Sequence, residues 1–184
     1  EIYHVVFLPL SKEDPGIARD TIRHICEGAY PTKRMVLVMA CEARYAENAR
    51  RIQEEIEPEF KEAFRAFYTT VHPADLPGEV KGKGSNLHWS AHQVVPKLIE
   101  AGIDPDKTVV SSFDVDTIVH PQYFSCLTYL YLTVPEPTRS SYQPVALYNN
   151  NLWESPAAVR VAMFGTTFWL MTELARPEGM MTFS

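Results

Sequence analysis

The chain is poor in the features that would tie it to a disulfide scaffold, a zinc module or a membrane. Its 3 cysteines, Cys26, Cys41 and Cys126, stand in separate apolar segments with no CxxC or Cys/His spacing. That pattern suits reduced core thiols and a reducing, cytoplasmic compartment better than disulfide bonds or a bound zinc. Positive charge is also short: 17 Lys and Arg stand against 23 Asp and Glu, a formal net charge of −6. The balance argues against general nucleic-acid binding, while leaving room for a local basic patch that meets phosphate. Residues 117–135 hold no Asp, Glu, Lys or Arg, yet His120, Pro121, Gln122, Ser125, Thr128 and Thr133 make that run too polar and interrupted for a membrane span. It reads as a buried helix. No internal repeat, linker or low-complexity tract appears, and the G-x-x-x-x-G-K-[ST] spacing of a P-loop is absent.

What is present is a globular composition, 46% hydrophobic and 22% charged over 184 residues, enough for one domain with a continuous core. Short β-rich runs alternate with longer, helically spaced ones. "IYHVVFL" reads as a first strand, with Asp14 as N-cap and Pro15 at the first position of the next helix. Ile17, Ile22, Ile25 and Ala29 form that helix's apolar stripe, and Gly28 marks its end. "MVLVMA" is a second strand. A charged helix comes next with Ala49, Ile52 and Ile56 inward, broken at Pro58 and resumed through Phe60, Phe64 and Phe67. "FYTTV" is a third strand. A Gly-, Pro- and Lys-rich loop then leads to a helix carrying Leu87, Ala91, Val94, Leu98 and Ile99, with Ser85 or Asn86 as N-cap. "KTVVSSF" is a fourth strand, "PQYFSCLTYLYL" a helix, "YQPVALY" a strand, and "PAAVRVAMFGTTFWLMTELA" a long helix. Alternation of this kind predicts a single α/β domain with a mostly parallel central sheet flanked by helices.

Ligands of open α/β sheets bind at the carboxyl ends of the strands. Four polar clusters fall at such ends or beside them: "PLSKED", "CEAR", "KGKGSN" and "DVD". Asp114 and Asp116 converge if the fourth strand gives way to a turn, and their hard oxygens suit Mg²⁺ or Mn²⁺. A capped turn, with Asp116 or Thr117 bonding local backbone N–H groups, explains the same residues without a metal. Lys83 precedes a helix N-terminus that favours an anion. A solvated loop is the plain alternative there. Ser11 and Glu13 lie within reach of a base or sugar, and Glu42 can accept hydrogen bonds from either; an ordinary turn and a solvated strand end explain them equally. His88 and His92 share a helix face at i, i+4 but lack the Glu of HExxH, which favours packing or exposure over zinc. His120 is a further candidate beside the metal, and Trp153 one for stacking on a sugar face or for a lid or core.

In order and spacing, these clusters resemble a family 2 glycosyltransferase domain of the GT-A (Rossmann-like) fold. "VVFLPLSKED" is similar to the family's opening strand and nucleotide loop, and "YPTKRMVLVMACEA" to its second-strand passage. "KGKGSNLHWSA" is similar to its K-x-x-A-L-N segment, with Lys83, Leu87 and His88 at the Lys, Leu and Asn positions. "VVSSFDVDTIVHPQYF" is similar to its metal-binding DxD stretch. Departures are visible as well: Ala40, Cys41 and Glu42 stand where the family has an acidic pair, and His88 replaces Asn. The resemblance implies a metal-dependent, inverting transferase with a nucleoside-diphosphate sugar as donor, a UDP-sugar favoured, and a glycan or lipid acceptor. It implies a nucleotide-sugar site made of Pro9, Leu10, Ser11, Glu13, Glu42, Lys83, Asp114, Val115 and Asp116, with Asp114 and Asp116 holding Mg²⁺ or Mn²⁺. The family's catalytic base lies beyond the DxD, and the only acids after residue 121 are Glu136, Glu154, Glu173 and Glu178. Residues 1–184 therefore read as the N-terminal, donor-binding part of a longer chain, with the base expected beyond Ser184 and any membrane attachment outside this stretch.

Two other readings compete. A non-catalytic nucleotide-binding or interaction module needs no base. A haloacid-dehalogenase-type phosphatase shares a strand-end DxDx[TV] motif, but here Ile118 closes the motif, and residues 122–184 contain neither a Lys nor an acidic pair.

Overall fold

The computed structural model describes residues 1–80, 82–147 and 156–175, which group into two compact units, residues 1–138 and 139–184. The first unit is built on a four-stranded sheet: β1 (Tyr3–Leu10), β2 (Met35–Glu42), β3 (Ala66–His72) and β4 (Thr108–Ser112). All pairings are parallel and the spatial order is β3-β2-β1-β4. β1 and β2 lie inside the sheet, so both faces of each need cover. Every residue of β2 is buried, which is why "MVLVMACE" reads as a nearly unbroken apolar run.

Helices provide that cover. α1 (Pro15–Cys26) and the helical stretch Ala46–Phe60 enclose Val6, Leu8, Leu10, Leu37, Met39, Ile52 and Ile56 in one core cluster. α4 (Lys83–Glu100) packs Val94 and Leu98 against Val5, Phe7, Val36 and Val38 on the opposite face. The result is the α/β, helix-flanked parallel sheet expected, in a three-layer, Rossmann-like arrangement. Fully burying a Leu or Val side chain contributes on the order of 1.5–3 kcal/mol, so these two layers are the main source of stability.

Local signals worked where the partner was near in sequence. The Asp14 carboxylate accepts from Gly16 N at 2.7 Å, with Pro15 in the first turn of α1. Elsewhere the structure corrects the expectation. Ile17 is 40% exposed, and Thr21 takes the inward place expected of it. Ala29 lies past the end of α1, exposed, with its N–H donating to Pro121 O at 2.8 Å. Pro58 does not interrupt the second helical segment. Ala46–Arg51 (α2) runs through a π-helical turn, Ile52–Ile56, into Glu57–Phe60 (α3), whose first turn tolerates a proline. Phe64 lies beyond that helix and Phe67 belongs to β3.

α4 begins at Lys83 with Gly82 as N-cap, so neither Ser85 nor Asn86 caps it. α5 (Tyr123–Thr133) is not buried throughout: Phe124, Leu127 and Tyr131 face inward, while Tyr129 and Leu132 are each 65% exposed. In the second unit, α6 (Ala157–Leu174) is the expected long helix, whereas residues 142–147 of "YQPVALY" form no strand. Trp153 and the C-terminal "MMTFS" lie outside the described residues. Among the described residues, no helix is long and apolar enough to cross a membrane.

Candidate functional site

Parallel strands end on the same side of the sheet, so the segments after β1, β2 and β4 are brought to one place. There an open cleft of about 340 Å³ is lined by Pro9, Leu10, Ser11, Glu13, Glu42, Arg44, Lys83, Asn86, Asp114, Val115 and Asp116. All nine positions expected to meet the nucleotide sugar lie on this one cleft, although they come from four separate segments.

The loop after β1 is held in shape by its own hydrogen bonds. Ser11 N and Oγ donate to the Glu13 carboxylate at 2.9 and 3.3 Å. Asn48, on α2, donates from Nδ2 to Ser11 O at 2.8 Å and to Glu13 O at 2.9 Å. Burial works to raise the Glu13 pKa, but hydrogen bonds from the Ser11 and Glu13 backbone and the Ser11 hydroxyl, with Lys12 nearby, outweigh it. The carboxyl is held below its ordinary range and stays ionised.

At the end of β2, Glu42 is only 8% exposed and pairs with Arg44 Nε at 2.6 Å. It is neither the solvated strand end that was one alternative nor an unpaired acceptor. Arg44, two residues on, is a functional candidate that the sequence did not single out. Asn86 is another. Its Nδ2 donates to Ala40 O at 2.7 Å, tying the first turns of α4 to the last residues of β2. It is buried, at 1% exposure, and lies inside the first turn of α4 rather than at its N-cap.

After β4 the chain does break into a turn. Thr117 N donates to Asp114 O at 3.0 Å, with Val115 and Asp116 at the bend. Val115 is buried in the core and its carbonyl accepts from Thr21 Oγ1 at 2.6 Å. The apolar residue between the two carboxylates thus anchors the turn from below, and Asp114 and Asp116 are both left exposed. Lys83, the first residue of α4, reaches Asp114 Oδ1 with its Nζ at 2.6 Å.

The donor set fits a hard divalent cation. Two exposed carboxylates on a fixed turn offer oxygen ligands of the kind Mg²⁺ and Mn²⁺ prefer. Among the described residues no group of three or more His, Cys, Asp or Glu is arranged to hold a metal ion. A cation at Asp114 and Asp116 would therefore complete its shell from water or from ligand oxygens. The lining carries four carboxylates, Glu13, Glu42, Asp114 and Asp116, against two cations, Arg44 and Lys83. An excess of negative charge does not suit a bare diphosphate and does suit one bridged by a divalent ion.

The remaining candidates stand apart from the cleft lining. His120 accepts from Gln122 N through Nδ1 at 3.2 Å, where the chain enters α5. His88 and His92 sit on the exposed side of α4 with their Nε2 atoms 3.1 Å apart. Comparison with known proteins finds neither a protein-family model nor a curated protein that matches this chain.

Proposed function

We propose that residues 1–184 are the donor-binding part of a GT-A glycosyltransferase similar to family 2. The domain takes a nucleoside-diphosphate sugar, with a UDP-sugar favoured, and passes the sugar to an acceptor hydroxyl with Mg²⁺ or Mn²⁺. One observation carries the reading: the four motif segments of the resemblance meet on a single cleft, at the strand ends where such a ligand binds. In this reading Pro9, Leu10, Ser11 and Glu42 surround the nucleoside, and the fixed Ser11–Glu13 loop keeps that wall in place. Lys83, at the N-terminus of an 18-residue helix, meets the diphosphate, where both its charge and the helix dipole favour an anion.

Asp114 and Asp116 would hold the cation, which when bound supplies charge stabilisation to a departing diphosphate. The transfer itself forms a bond from the acceptor oxygen to the anomeric carbon and breaks the bond from that carbon to the diphosphate. The acceptor's proton goes to a base that none of the cleft residues is assigned to be, so this stretch is a binder of donor first.

Calorimetric titration with UDP and other nucleoside diphosphates, with and without Mn²⁺, tests the proposal. Mn²⁺-dependent binding of UDP that Asp116→Ala abolishes is the expected result. A folded protein that binds no nucleoside diphosphate under either condition overturns it, and release of phosphate from small phosphoesters would favour the phosphatase instead.

A further inference from the structure

The Lys83–Asp114 pair has a consequence for the order in which the cleft fills. Lys83 Nζ lies 2.6 Å from Asp114 Oδ1, so an oxygen assigned to the cation is engaged by an ammonium group. A divalent ion approaching Asp114 meets that positive charge at contact distance, and the two cannot share the oxygen favourably. Lys83 gives up this contact most readily when another anion receives it. The second anion that enters this cleft in the proposed function is a diphosphate, and Lys83 stands at the helix terminus that would face it. From this geometry we propose that Lys83 is a latch. It holds Asp114 against metal in the empty cleft and releases it by moving to the diphosphate, so that metal and nucleotide bind together and each strengthens the other. The inference rests on the nucleotide-sugar reading of the cleft.

The side chains allow such a movement. Lys83 is 46% and Asp114 72% exposed in their side chains, so the pair is a surface contact of modest strength that a ligand can exchange. Lysine is also suited to the task, because its point charge sits on a long flexible stem. Val115, by contrast, is fixed by Thr21 and the core, which keeps the turn still while the lysine moves. Reciprocity is a matter of thermodynamic linkage: whatever factor the nucleotide adds to metal affinity, the metal adds to nucleotide affinity.

Lys83→Met tests the latch because its effects on the two ligands have opposite signs. Binding of Mn²⁺ alone, monitored by the electron paramagnetic resonance of the free ion, tightens by up to about fivefold when the competing charge is removed. Binding of UDP in the presence of Mn²⁺, measured by calorimetry, weakens by a similar factor, and the mutual strengthening of the two ligands shrinks. Lys83→Arg, which keeps the charge, leaves Mn²⁺ binding weak, and circular dichroism checks that each variant is folded. General damage to the site would weaken both ligands, which the latch does not predict. Unchanged or weaker binding of Mn²⁺ alone in folded Lys83→Met overturns the latch, while Mn²⁺-dependent UDP binding in the native protein would leave the proposed function standing. Tighter Mn²⁺ binding in Lys83→Met, with no nucleoside diphosphate bound by the native protein, would leave only the competition between Lys83 and metal for Asp114 and would overturn both the latch and the nucleotide reading.

Discussion

Acidification should destabilise this protein through one histidine well before its carboxylates protonate. His4, on β1, is fully buried, with Tyr30 and Phe124 packed edge-on against its ring. Its Nε2 is 2.7 Å from Thr128 Oγ1 on α5, and Nδ1 has no partner among the described residues. Burial lowers its pKa from 6.5 to about 4. As pH falls through 6.5 the unfolded chain takes up a proton at this position, and the folded chain does not until pH nears 4. Protonation therefore favours the unfolded state. The stabilising contribution is complete above pH 6.5, declines between 6.5 and about 4, and is flat below that. Its full size is about 3 kcal/mol, of which about 2 kcal/mol is lost by pH 5.

That is a large share of the roughly 5–15 kcal/mol typical of a folded domain. Urea unfolding of the native protein and of His4→Gln across pH 7.5 to 5 isolates the effect, because other titrating groups are common to both. The variant starts less stable, having lost a fitted ring, but its curve falls by about 2 kcal/mol less over that interval. Parallel curves for the two proteins, or a His4 ring proton that titrates near 6.5 by NMR, would refute the reasoning.

Two further outcomes rest on single contacts and on burial. Thr21→Val removes the buried hydrogen bond to Val115 O, costing about 1–2 kcal/mol in urea unfolding and weakening Mn²⁺-dependent UDP binding through the loosened turn. Valine at this site without any effect on UDP would show that the turn needs no anchor. The cysteines should differ in reactivity. Burial pushes the thiols of Cys26 and Cys41 up to about 11 and 12, and Cys126 is exposed. Iodoacetamide at pH 8, with peptide mass spectrometry as the readout, should find Cys126 modified first and Cys41 only after unfolding.

Much of the architecture was readable because its causes are local. The Asp14-Pro15 start of α1 depends on neighbouring atoms, and a nearly unbroken apolar run such as β2 has few alternatives to a central parallel strand. The misreadings share a different cause. Thr21 turns inward because a carbonyl 94 residues away needs a donor, and periodicity counts a threonine as polar. Asn86 is buried for the same kind of reason, its partner being Ala40 O at the end of another strand. Asparagine near a helix start looks like a cap until that partner is known. "YQPVALY" has the composition of a strand, but a strand also needs an edge to pair with, and a composition does not supply one.

The candidate site divides along the same line. Its expected polar residues carry recognisable chemistry at strand ends or, for Lys83, at a helix start, whereas Arg44 and Asn48 matter only through what they touch: Glu42 in one case, the backbone of Ser11 and Glu13 in the other. An arginine two residues after a strand-end glutamate was the available signal for the first. Asn48, in the middle of a charged helix, gave none.

The strand order also bears on how the chain is made. β1 is the first of the four strands to emerge from the ribosome, yet one of its two neighbours is β4, where Tyr3 pairs with Thr108. Until β4 has been synthesised, one side of this apolar strand keeps its backbone N–H and C=O groups without their final partners. Closing so long a loop is slow compared with forming the helices in between. Asp114 and Asp116 come directly after β4, so they reach the cleft only with that last pairing. Among the four strands, the chemistry-bearing corner of the sheet is therefore the last to be completed, after the residues of β1 and β2 that form its floor have been made.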